Sequence, residues 1–507
     1  MKKEASTVLI LAITSILLIN VFVRLEYLVS PQDYSIILYG LADKMLEKKE
    51  IRYYPYPLHM DSWDQLAIAK ETIKEEKIID YNPYLGENHP DRNWEKAYTL
   101  LLTETLLLTG IKPLHMDSIF PTVMGFILAL NTYILVRHLT KSMLAGLFSA
   151  VFALSFKSSS TLTGIWFSVP IAYGIAMMPL MLYTFIKAAD EKGNTWKLAI
   201  VILFTQVTLA HPPSAIIYLP ILGLYLATRP KLVGEHKKEI VAAGFLLILL
   251  ALQFAPAEKI IKELSFGDEP PKGAAFHPLS FLGFPATLLA LAGGIWCFGG
   301  RKKRILPLAF LALLPLMTQF YLTNSIFLSP FRRLFSFEMM LALNMAGIGL
   351  WLVYRKVNEV IGRGRITQGV VLLAVALLLF NQIDSGYRYR HLLITAIIED
   401  DVIDIKQLQD TPEDSKILTN SFDSRGMWFI GERQVISLMP ARLRGDNKIN
   451  SEANRFCSMN CEDKEKVIKE MKADYVVYTK ELECPFLNEV YNRGAGSKRI
   501  YEYTPAG

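Results

Sequence analysis

The sequence lacks the glycine-rich motifs that hold nucleotide phosphates: it contains no GxxxxGK(S/T) segment and no GxGxxG segment after a strand. It also has no HExxH, paired CxxC or GxSxG segment. The absence of the nucleotide motifs argues against ATP-driven work. The sequence contains no internal repeat of the kind that transporters carry.

Cysteine is also scarce, because the chain has only four, too few for a disulfide scaffold. Cys457 and Cys461 lack a nearby pair of histidines, which argues against a zinc site. Cys297 lies in an apolar run. If the C-terminal tail is exported, one disulfide among Cys457, Cys461 and Cys484 leaves one thiol over.

Charged residues make up 20% of the chain and cluster between long apolar runs, whereas apolar residues make up 52%. The first run follows Lys2 and Lys3 and has no small-residue cleavage site, so it predicts an uncleaved span. About eleven runs can cross a hydrocarbon core of about 30 Å, some only as tilted helices. Those after the first are 117–136, 143–156, 169–187, 197–210, 213–228, 239–255, 279–299, 304–323, 334–354 and 366–383.

Lysine and arginine concentrate in alternate short loops, which indicates a membrane topology rather than a nucleic-acid surface. The basic loops are 137–141, 187–197, 229–238, 300–304 and 354–365. The positive-inside rule places these loops and the N-terminus in the cytoplasm. Eleven spans then put the tail on the opposite side. The sequence therefore predicts a mainly α, multi-pass protein of the plasma membrane that binds no nucleic acid.

The chain is predicted to form a transmembrane helical bundle, 1–389, and a small exported α/β domain, 390–507. In the tail, SKILTNS and ADYVVYTKE predict buried strands, and EDKEKVIKEMK predicts an amphipathic helix. The first exterior loop, 26–97, is long, and its pattern from Trp63 onward predicts a helix along the membrane surface. The apolar stretch 97–111 predicts a re-entrant or interfacial helix.

The first exterior loop carries the motif His59-Met-Asp61-Ser-Trp-Asp64, with two carboxylates at the start of the predicted helix. One interpretation is structural: Asp61 caps the helix, and Asp64 favours its dipole. The other is functional: one carboxylate is a general base on an acceptor hydroxyl, or it ligands a divalent cation that holds a phosphate. A lipid-linked substrate at the membrane surface suits either role.

A second group in the same loop combines His89, Asp91 and Arg92 within four positions. These side chains are candidates for contacting substrate. The prolines and the glycine around them also predict an ordinary polar turn. Both interpretations stay open at this stage.

Positive charge at the exterior end of a late span gives a third group. Arg332 and Arg333 stand where positive charge is disfavoured, so they either snorkel to the interface or grip the phosphate of an anionic lipid. Arginine suits the second role because it binds phosphate through two parallel hydrogen bonds. His211, at the exterior end of another apolar run, is either an interfacial residue or a ligand.

This arrangement resembles the GT-C superfamily of integral-membrane glycosyltransferases, which includes oligosaccharyltransferases and protein mannosyltransferases. One span leads to a long exterior loop with an acidic motif, many spans follow, and Pro-Phe-Arg-Arg precedes a late span and the exported tail. The segment from Asp61 to Lys70 is similar to the first-loop motif of the superfamily. Thr109-Gly110-Ile111 is similar to the turn after its second loop helix, and His211-Pro212 also looks like a feature of this group.

The resemblance implies an inverting glycosyltransferase that uses a polyprenyl-phosphate or polyprenyl-pyrophosphate sugar. Its other partners would be membrane lipid and an acceptor that is a glycan, a lipid or a protein. The implied site residues are Asp61 and Asp64 for catalysis, Arg332, Arg333 and His211 for the donor phosphate, and His59, His89, Asp91 and Arg92 for the substrate loop.

Two departures from oligosaccharyltransferases matter. The tail has no WWDxG motif, and the second exterior loop, 156–168, has no carboxylate. Metal-independent transfer of one sugar therefore fits better than transfer of a whole glycan to asparagine, and any Mg²⁺ or Mn²⁺ would bind at Asp61. The alternatives are a flippase or transporter of lipid-linked glycans and a non-catalytic accessory protein built on a GT-C body.

Overall fold

A computed structural model describes residues 2–25, 56–90, 95–158, 164–191, 194–229, 278–323, 329–361, 399–439, 445–494 and 496–505, with a few shorter pieces between them. The chain divides into two compact units. Unit 1 comprises Met1–Tyr54 and Ile119–Leu392, and unit 2 comprises Pro55–Ser118 and Leu393–Gly507. Unit 2 thus joins the tail to part of the predicted first loop, and the predicted domain limits stay a prediction.

Helices dominate the described residues, and their sequences in unit 1 are nearly continuous apolar runs. The helices are α1 (Lys2–Ser15), α2 (Phe22–Leu25), α3 (Met60–Lys74), α4 (Lys96–Thr109), α5 (Pro113–Thr140), α6 (Met143–Leu154), α7 (Pro170–Asp190), α8 (Thr195–Ala210), α9 (Pro212–Ala227), α10 (Pro278–Leu282), α11 (Phe284–Phe298), α12 (Ile305–Thr323), α13 (Phe331–Ile361), α14 (Glu399–Lys406), α15 (Ser424–Gly431), α16 (Asn447–Arg455) and α17 (Cys461–Met471). The strands are β1 (Tyr81–Asn82), β2 (Gly86–Pro90), β3 (Ser265–Gly267), β4 (Ser325–Phe327), β5 (Lys416–Thr419), β6 (Gln434–Val435), β7 (Tyr475–Tyr478), β8 (Leu487–Tyr491) and β9 (Arg499–Tyr503).

Four helical stretches in the described residues are long and apolar enough to cross a membrane: Glu4–Val21, α5, α7 and most of α13. Five shorter apolar helices, α6, α8, α9, α11 and α12, coincide with further predicted spans. The predicted span 239–255 and most of 366–383 lie outside the described residues. The mainly helical fold is therefore confirmed, and the count of eleven spans stays a prediction.

Glycines bring the helices of unit 1 close together around α13, whose residues 334–350 are all buried. A Cβ atom on Gly347 would lie 2.3 Å from the Cα of Ser149 on α6. A Cβ atom on Gly293 of α11 would lie 2.0 Å from the carbonyl oxygen of Met345. Such close approach through small residues is typical of helices that pack within a membrane. α13 therefore forms much of the core of unit 1.

Unit 2 contains a five-stranded sheet in the order β6-β5-β7-β9-β8. β5 is parallel to both β6 and β7, whereas β9 is antiparallel to β7 and β8. β5 and β7 are the two strands that the tail sequence predicts, and α17 is the predicted amphipathic helix. The sheet and α17 share one apolar cluster that includes Leu418, Ile468 and Val476. A disulfide joins Cys461 to Cys484 and leaves Cys457 as a free thiol.

The first-loop part of unit 2 consists of α3, the hairpin β1–β2 and α4. α4 ends at Gly110, which has a φ of +64° and donates its N–H to the carbonyl oxygen of Leu106. This left-handed conformation favours glycine. The Thr109-Gly110-Ile111 segment is therefore a helix-ending turn that leads into α5.

Candidate active site

The His59–Asp64 motif forms the first turn of α3. His59 caps this helix, because its Nδ1 accepts the backbone N–H of Asp61 at 3.1 Å. The prediction that Asp61 is the cap was wrong, since the helix begins at Met60 and Asp61 lies inside its first turn. The imidazole therefore supplies the acceptor, and the Asp61 carboxylate is not used for capping. The Asp61 side chain is 32% exposed, and its Oδ2 lies 3.7 Å from His59 Nδ1.

Asp64 lies one turn further along α3 and is fully buried. Arg425 of α15 donates two hydrogen bonds to it, from Nε to Oδ1 at 2.6 Å and from Nη2 to Oδ2 at 3.1 Å. Arg425 is also fully buried, and its Nη2 donates to the carbonyl oxygen of Met439 at 2.9 Å. Burial would lower the pKa of Arg425, but the charge and hydrogen bonds of Asp64 outweigh burial and raise it. Arg425 therefore keeps its charge, and removal of either partner of the pair would destabilise the unit by about 3–5 kcal/mol.

Aromatic contacts between α3, the hairpin and α15 lie near this ion pair in the sequence of each element. The rings of Trp63 and Phe429 pack edge to face with their centroids 5.5 Å apart. The rings of Tyr84 and Trp428 do the same at 5.1 Å. Burial, and next the charge of Asp64, raise the pKa of Tyr84 well above its ordinary value, so its hydroxyl stays neutral. Arg425 lies over the ring of Tyr84 at 5.9 Å, and the full burial of both partners strengthens their attraction relative to water.

The turn before Asp61 is held by a residue that sequence reasoning missed. Asp117, near the start of α5, is fully buried, and its Oδ2 accepts the backbone N–H of Leu58 at 3.2 Å. Burial, and then the charge of Asp117, raise the pKa of Tyr98 on α4 well above its ordinary value. The signal for Asp117 was an acid at the start of an apolar run that predicts a span, 117–136. Two buried carboxylates, Asp64 and Asp117, therefore flank the segment that presents Asp61.

The second predicted group falls partly on the hairpin. His89 lies on β2 and is exposed, whereas Asp91 and Arg92 lie outside the described residues. Gly86, one of the residues around the predicted turn, has a φ of +87°, and whether the turn extends to Asp91 and Arg92 stays a prediction. A Cβ atom on Gly86 would lie 2.8 Å from Nε2 of Gln434, so glycine lets the hairpin pack against the tail. The backbone N–H of Val435 extends this contact by donating to the carbonyl oxygen of Tyr84 at 3.1 Å.

Arg332 and Arg333 occupy the first turn of α13 in unit 1. Arg332 is exposed and Arg333 is half-buried. The first turn of a helix carries partial positive charge from its unpaired N–H groups, so two cations there are electrostatically unfavourable. An anion at the same place would be attracted by the helix end and by both guanidinium groups. The two arginines and the N-terminus of α13 therefore both favour an anion such as a phosphate.

His211 is buried at the junction between α8 and α9 and is 2% exposed. Its Nδ1 lies 2.5 Å from the hydroxyl of Ser214. Ser214 in turn packs on Gly174 of α7, where a Cβ atom would lie 2.0 Å from the serine oxygen. Tyr218 donates its hydroxyl to the carbonyl oxygen of Gly174 at 2.5 Å. His211 thus belongs to a tight polar contact between α7 and α9.

The structure brings His59, Asp61 and Asp64 together in unit 2. Arg332 and His211 lie in unit 1, and the prediction that they face Asp61 stays a prediction. The described residues contain no cluster of three or more histidine, cysteine, aspartate or glutamate side chains suited to a metal. Asp64 is committed to Arg425, so a cation at Asp61 would need most of its ligands from elsewhere.

Comparison with known proteins identifies the class of fold. No protein-family model matches the sequence, and no curated protein matches it either. Among solved structures, an oligosaccharyltransferase of Archaeoglobus fulgidus in the apo form gives a TM-score of 0.60 at 12% identity, over 94% of this chain and 69% of that one. AglB from the same organism, in complex with an inhibitory peptide and a dolichol-phosphate, gives 0.58 at 10% identity, over 93% and 69%. ArnT from Cupriavidus metallidurans, bound to undecaprenyl phosphate, gives 0.52 at 12% identity, over 93% and 98%.

These likenesses confirm the resemblance to the GT-C superfamily at the level of the fold. The chain has the fold of GT-C membrane glycosyltransferases, and its long apolar helices agree with a membrane protein. At such low identity the likeness establishes the fold alone. The roles of individual residues have to be argued from their own surroundings.

Proposed function

We propose that this protein is an extracytoplasmic glycosyltransferase that moves a sugar from a polyprenyl-phosphate or polyprenyl-pyrophosphate donor to an acceptor hydroxyl. One observation carries the proposal: the two carboxylates of α3 have opposite surroundings. Asp64 is fully buried against Arg425, whereas the Asp61 side chain keeps 32% of its surface exposed. Asp61 is therefore the base, and Asp64 has a supporting role.

In the proposed reaction, the acceptor hydroxyl attacks the anomeric carbon of the donor sugar. The oxygen–hydrogen bond breaks as Asp61 takes the proton, and a new glycosidic bond forms on the face opposite the phosphate. The old carbon–oxygen bond breaks, and the phosphate leaves with the electron pair, so the anomeric centre is inverted. Fixed cations at the departing oxygen lower the barrier because they stabilise charge that develops in the transition state.

Arg332 and Arg333 are proposed to be those cations. Their place in the first turn of α13 supports this role, since a helix N-terminus and two guanidinium groups all attract phosphate. The dolichol-phosphate and the undecaprenyl phosphate in two structural neighbours support a polyprenyl-linked donor. His211 remains a proposed donor-phosphate residue, and it lies buried at the junction between α8 and α9. His59, His89, Asp91 and Arg92 remain the proposed substrate-loop residues.

The proposed topology has eleven spans, a cytoplasmic N-terminus and an exported C-terminal α/β domain in the plasma membrane. The alternation of basic loops supports this orientation. The disulfide between Cys461 and Cys484 also supports export of the tail, because disulfides persist in oxidising compartments. The acceptor, which is a glycan, a lipid or a protein, would then meet Asp61 outside the cytoplasm.

The experiment uses membranes that contain the full-length protein and a panel of undecaprenyl-phosphate and dolichol-phosphate carriers bearing labelled hexoses. We expect one donor to give labelled product, and Asp61→Asn to abolish the transfer while the protein stays in the membrane. The matched control is Asp80→Asn, because Asp80 is an exposed carboxylate of the same unit. We expect this variant to keep its activity.

Full activity in Asp61→Asn would remove Asp61 from the mechanism. Two other results would favour the alternatives. Passage of intact labelled donor across reconstituted vesicles, without chemical change, would indicate a flippase. Donor binding with neither transfer nor hydrolysis across the panel would indicate an accessory protein.

A further inference from the structure

One face of α15, in the tail, runs along α3 and holds it at several points. Three of the contacting residues follow the spacing i, i+3 and i+4, so they share one side of the helix, and Glu432, which directly follows the helix, adds a further contact. The contacts are Arg425 with Asp64, Phe429 with Trp63, and both Trp428 and Glu432 with Lys70. The tail therefore fixes the rotation of α3 as well as its position.

The ion pair at the centre of this contact is a poor device for stability alone. Burying two charges is unfavourable, and an apolar pair of similar size often stabilises a core equally well or better. The pair instead fixes the orientation of the Asp64 carboxylate, because the planar guanidinium group makes its two parallel hydrogen bonds in only one arrangement. A third hydrogen bond, from Arg425 to the carbonyl oxygen of Met439, fixes the fork itself at 2.9 Å.

Asp61 and Asp64 are three residues apart on α3, so their side chains leave adjacent sides of one helical turn. Any rotation of α3 that moves Asp64 also moves Asp61. A displacement of about 1 Å at a reacting group can slow a reaction about a hundredfold. The orientation of the base is thus set through Asp64 by Arg425, which lies 361 positions after Asp64 in the sequence.

We propose that Arg425 is a positioning residue of the transfer reaction, which holds the Asp61 carboxylate in its working orientation through the Arg425–Asp64 ion pair. This inference rests on the proposed function. It makes α15 of the tail a required part of the catalytic apparatus, separate from any role of the tail in binding the acceptor.

The test compares four changes in the full-length protein. Arg425→Lys keeps the charge but loses the fork. In Asp64→Glu combined with Arg425→Lys, the longer carboxylate side chain partly restores the reach between the two charged groups. Asp64→Leu combined with Arg425→Met replaces the pair by apolar side chains. The matched control is Arg433→Lys, because Arg433 is also buried but donates only to tail residues, Gln409, Thr411 and Glu432.

Each variant is purified in detergent and measured for Tm, kcat and KM with the labelled polyprenyl-phosphate hexose that supports transfer. We expect Arg425→Lys to lower kcat about tenfold to a hundredfold with little change in donor KM. Asp64→Glu with Arg425→Lys should recover part of that loss. The apolar pair should fold with a Tm close to that of the parent protein and still show a low kcat. Arg433→Lys should lower Tm and keep kcat.

A return of kcat in the apolar pair, along with its Tm, would reduce the ion pair to a structural role and overturn the proposal. The parallel measurement on Asp61→Asn distinguishes failure of the proposed function from failure of the positioning role of Arg425. Loss of transfer in Asp61→Asn with full kcat in all Arg425 variants would leave the proposed function standing and refute the positioning role. Full transfer in Asp61→Asn would refute both.

Discussion

The contact between α7 and α9 at Gly174 allows a quantitative test of the packing around His211. A Cβ atom at position 174 would lie 2.0 Å from Oγ and 2.6 Å from Cβ of Ser214. Both distances are far inside van der Waals contact, and although the hydroxyl of Ser214 can rotate away, its Cβ is fixed to the backbone. Gly174→Ala must therefore push α7 and α9 apart or displace Ser214 from His211.

Overpacking of this kind destabilises a protein by about 1–3 kcal/mol. Displacement of Ser214 also breaks its hydrogen bond to His211, a net loss of about 1 kcal/mol. We therefore expect Gly174→Ala to lower the free energy of unfolding by about 2–4 kcal/mol. If the ring of His211 supports the donor site, donor KM should rise as well.

The rescue variant is Gly174→Ala combined with Ser214→Gly, which removes both clashing atoms. Thermal unfolding in detergent of the parent, the two single variants and the double variant gives a double-mutant cycle. The double variant should be more stable than the sum of the two single effects predicts. Simple additivity, or a Gly174→Ala variant as stable as the parent, would refute the assigned contact.

Two further predictions concern other parts of the chain. Arg332→Ala combined with Arg333→Ala should raise donor KM at least about tenfold, because charge-assisted hydrogen bonds contribute about 1.5–3 kcal/mol each. The control is Arg355→Ala, near the other end of α13. An unchanged donor KM in the double variant would contradict the donor role. Cys461→Ser combined with Cys484→Ser should destabilise the tail by about 2–4 kcal/mol. We expect a protease to cleave the tail of this variant at a lower temperature than in the parent protein. Equal protease resistance with and without the disulfide would contradict the prediction.

The elements that the sequence predicted well depend on local patterns. The apolar runs that form α5, α7 and α13 are long enough to be predicted from their length and composition alone. The strands β5 and β7 are short apolar runs between turn residues, and α17 shows a helical repeat of apolar and charged positions. In each case the pattern that determines the helix or strand lies within about twenty consecutive residues.

The parts that the sequence did not reveal depend on distant partners. Asp64 is a catalytic candidate beside Asp61 in the sequence because nothing near it indicates Arg425, which reaches it from the tail. Asp117 looked like one more residue of a predicted span, although it holds the backbone of Leu58. The helix cap was wrongly assigned because aspartate is the commoner cap, while His59 offers an acceptor only when Nδ1 carries no proton. Pairings of this kind are fixed by tertiary packing.

The pairing of α3 with α15 also has a consequence for how the protein is made. α3 is synthesised early, and its partners Arg425, Trp428 and Phe429 emerge from the ribosome more than three hundred and fifty residues later. Until then Asp64 and Trp63 have no tail to pack against, and the segment bearing Asp61 lacks its final shape. The packing of α3 is therefore completed only after α15 has been synthesised, and a chain that ends before α15 lacks the buried partner of Asp64.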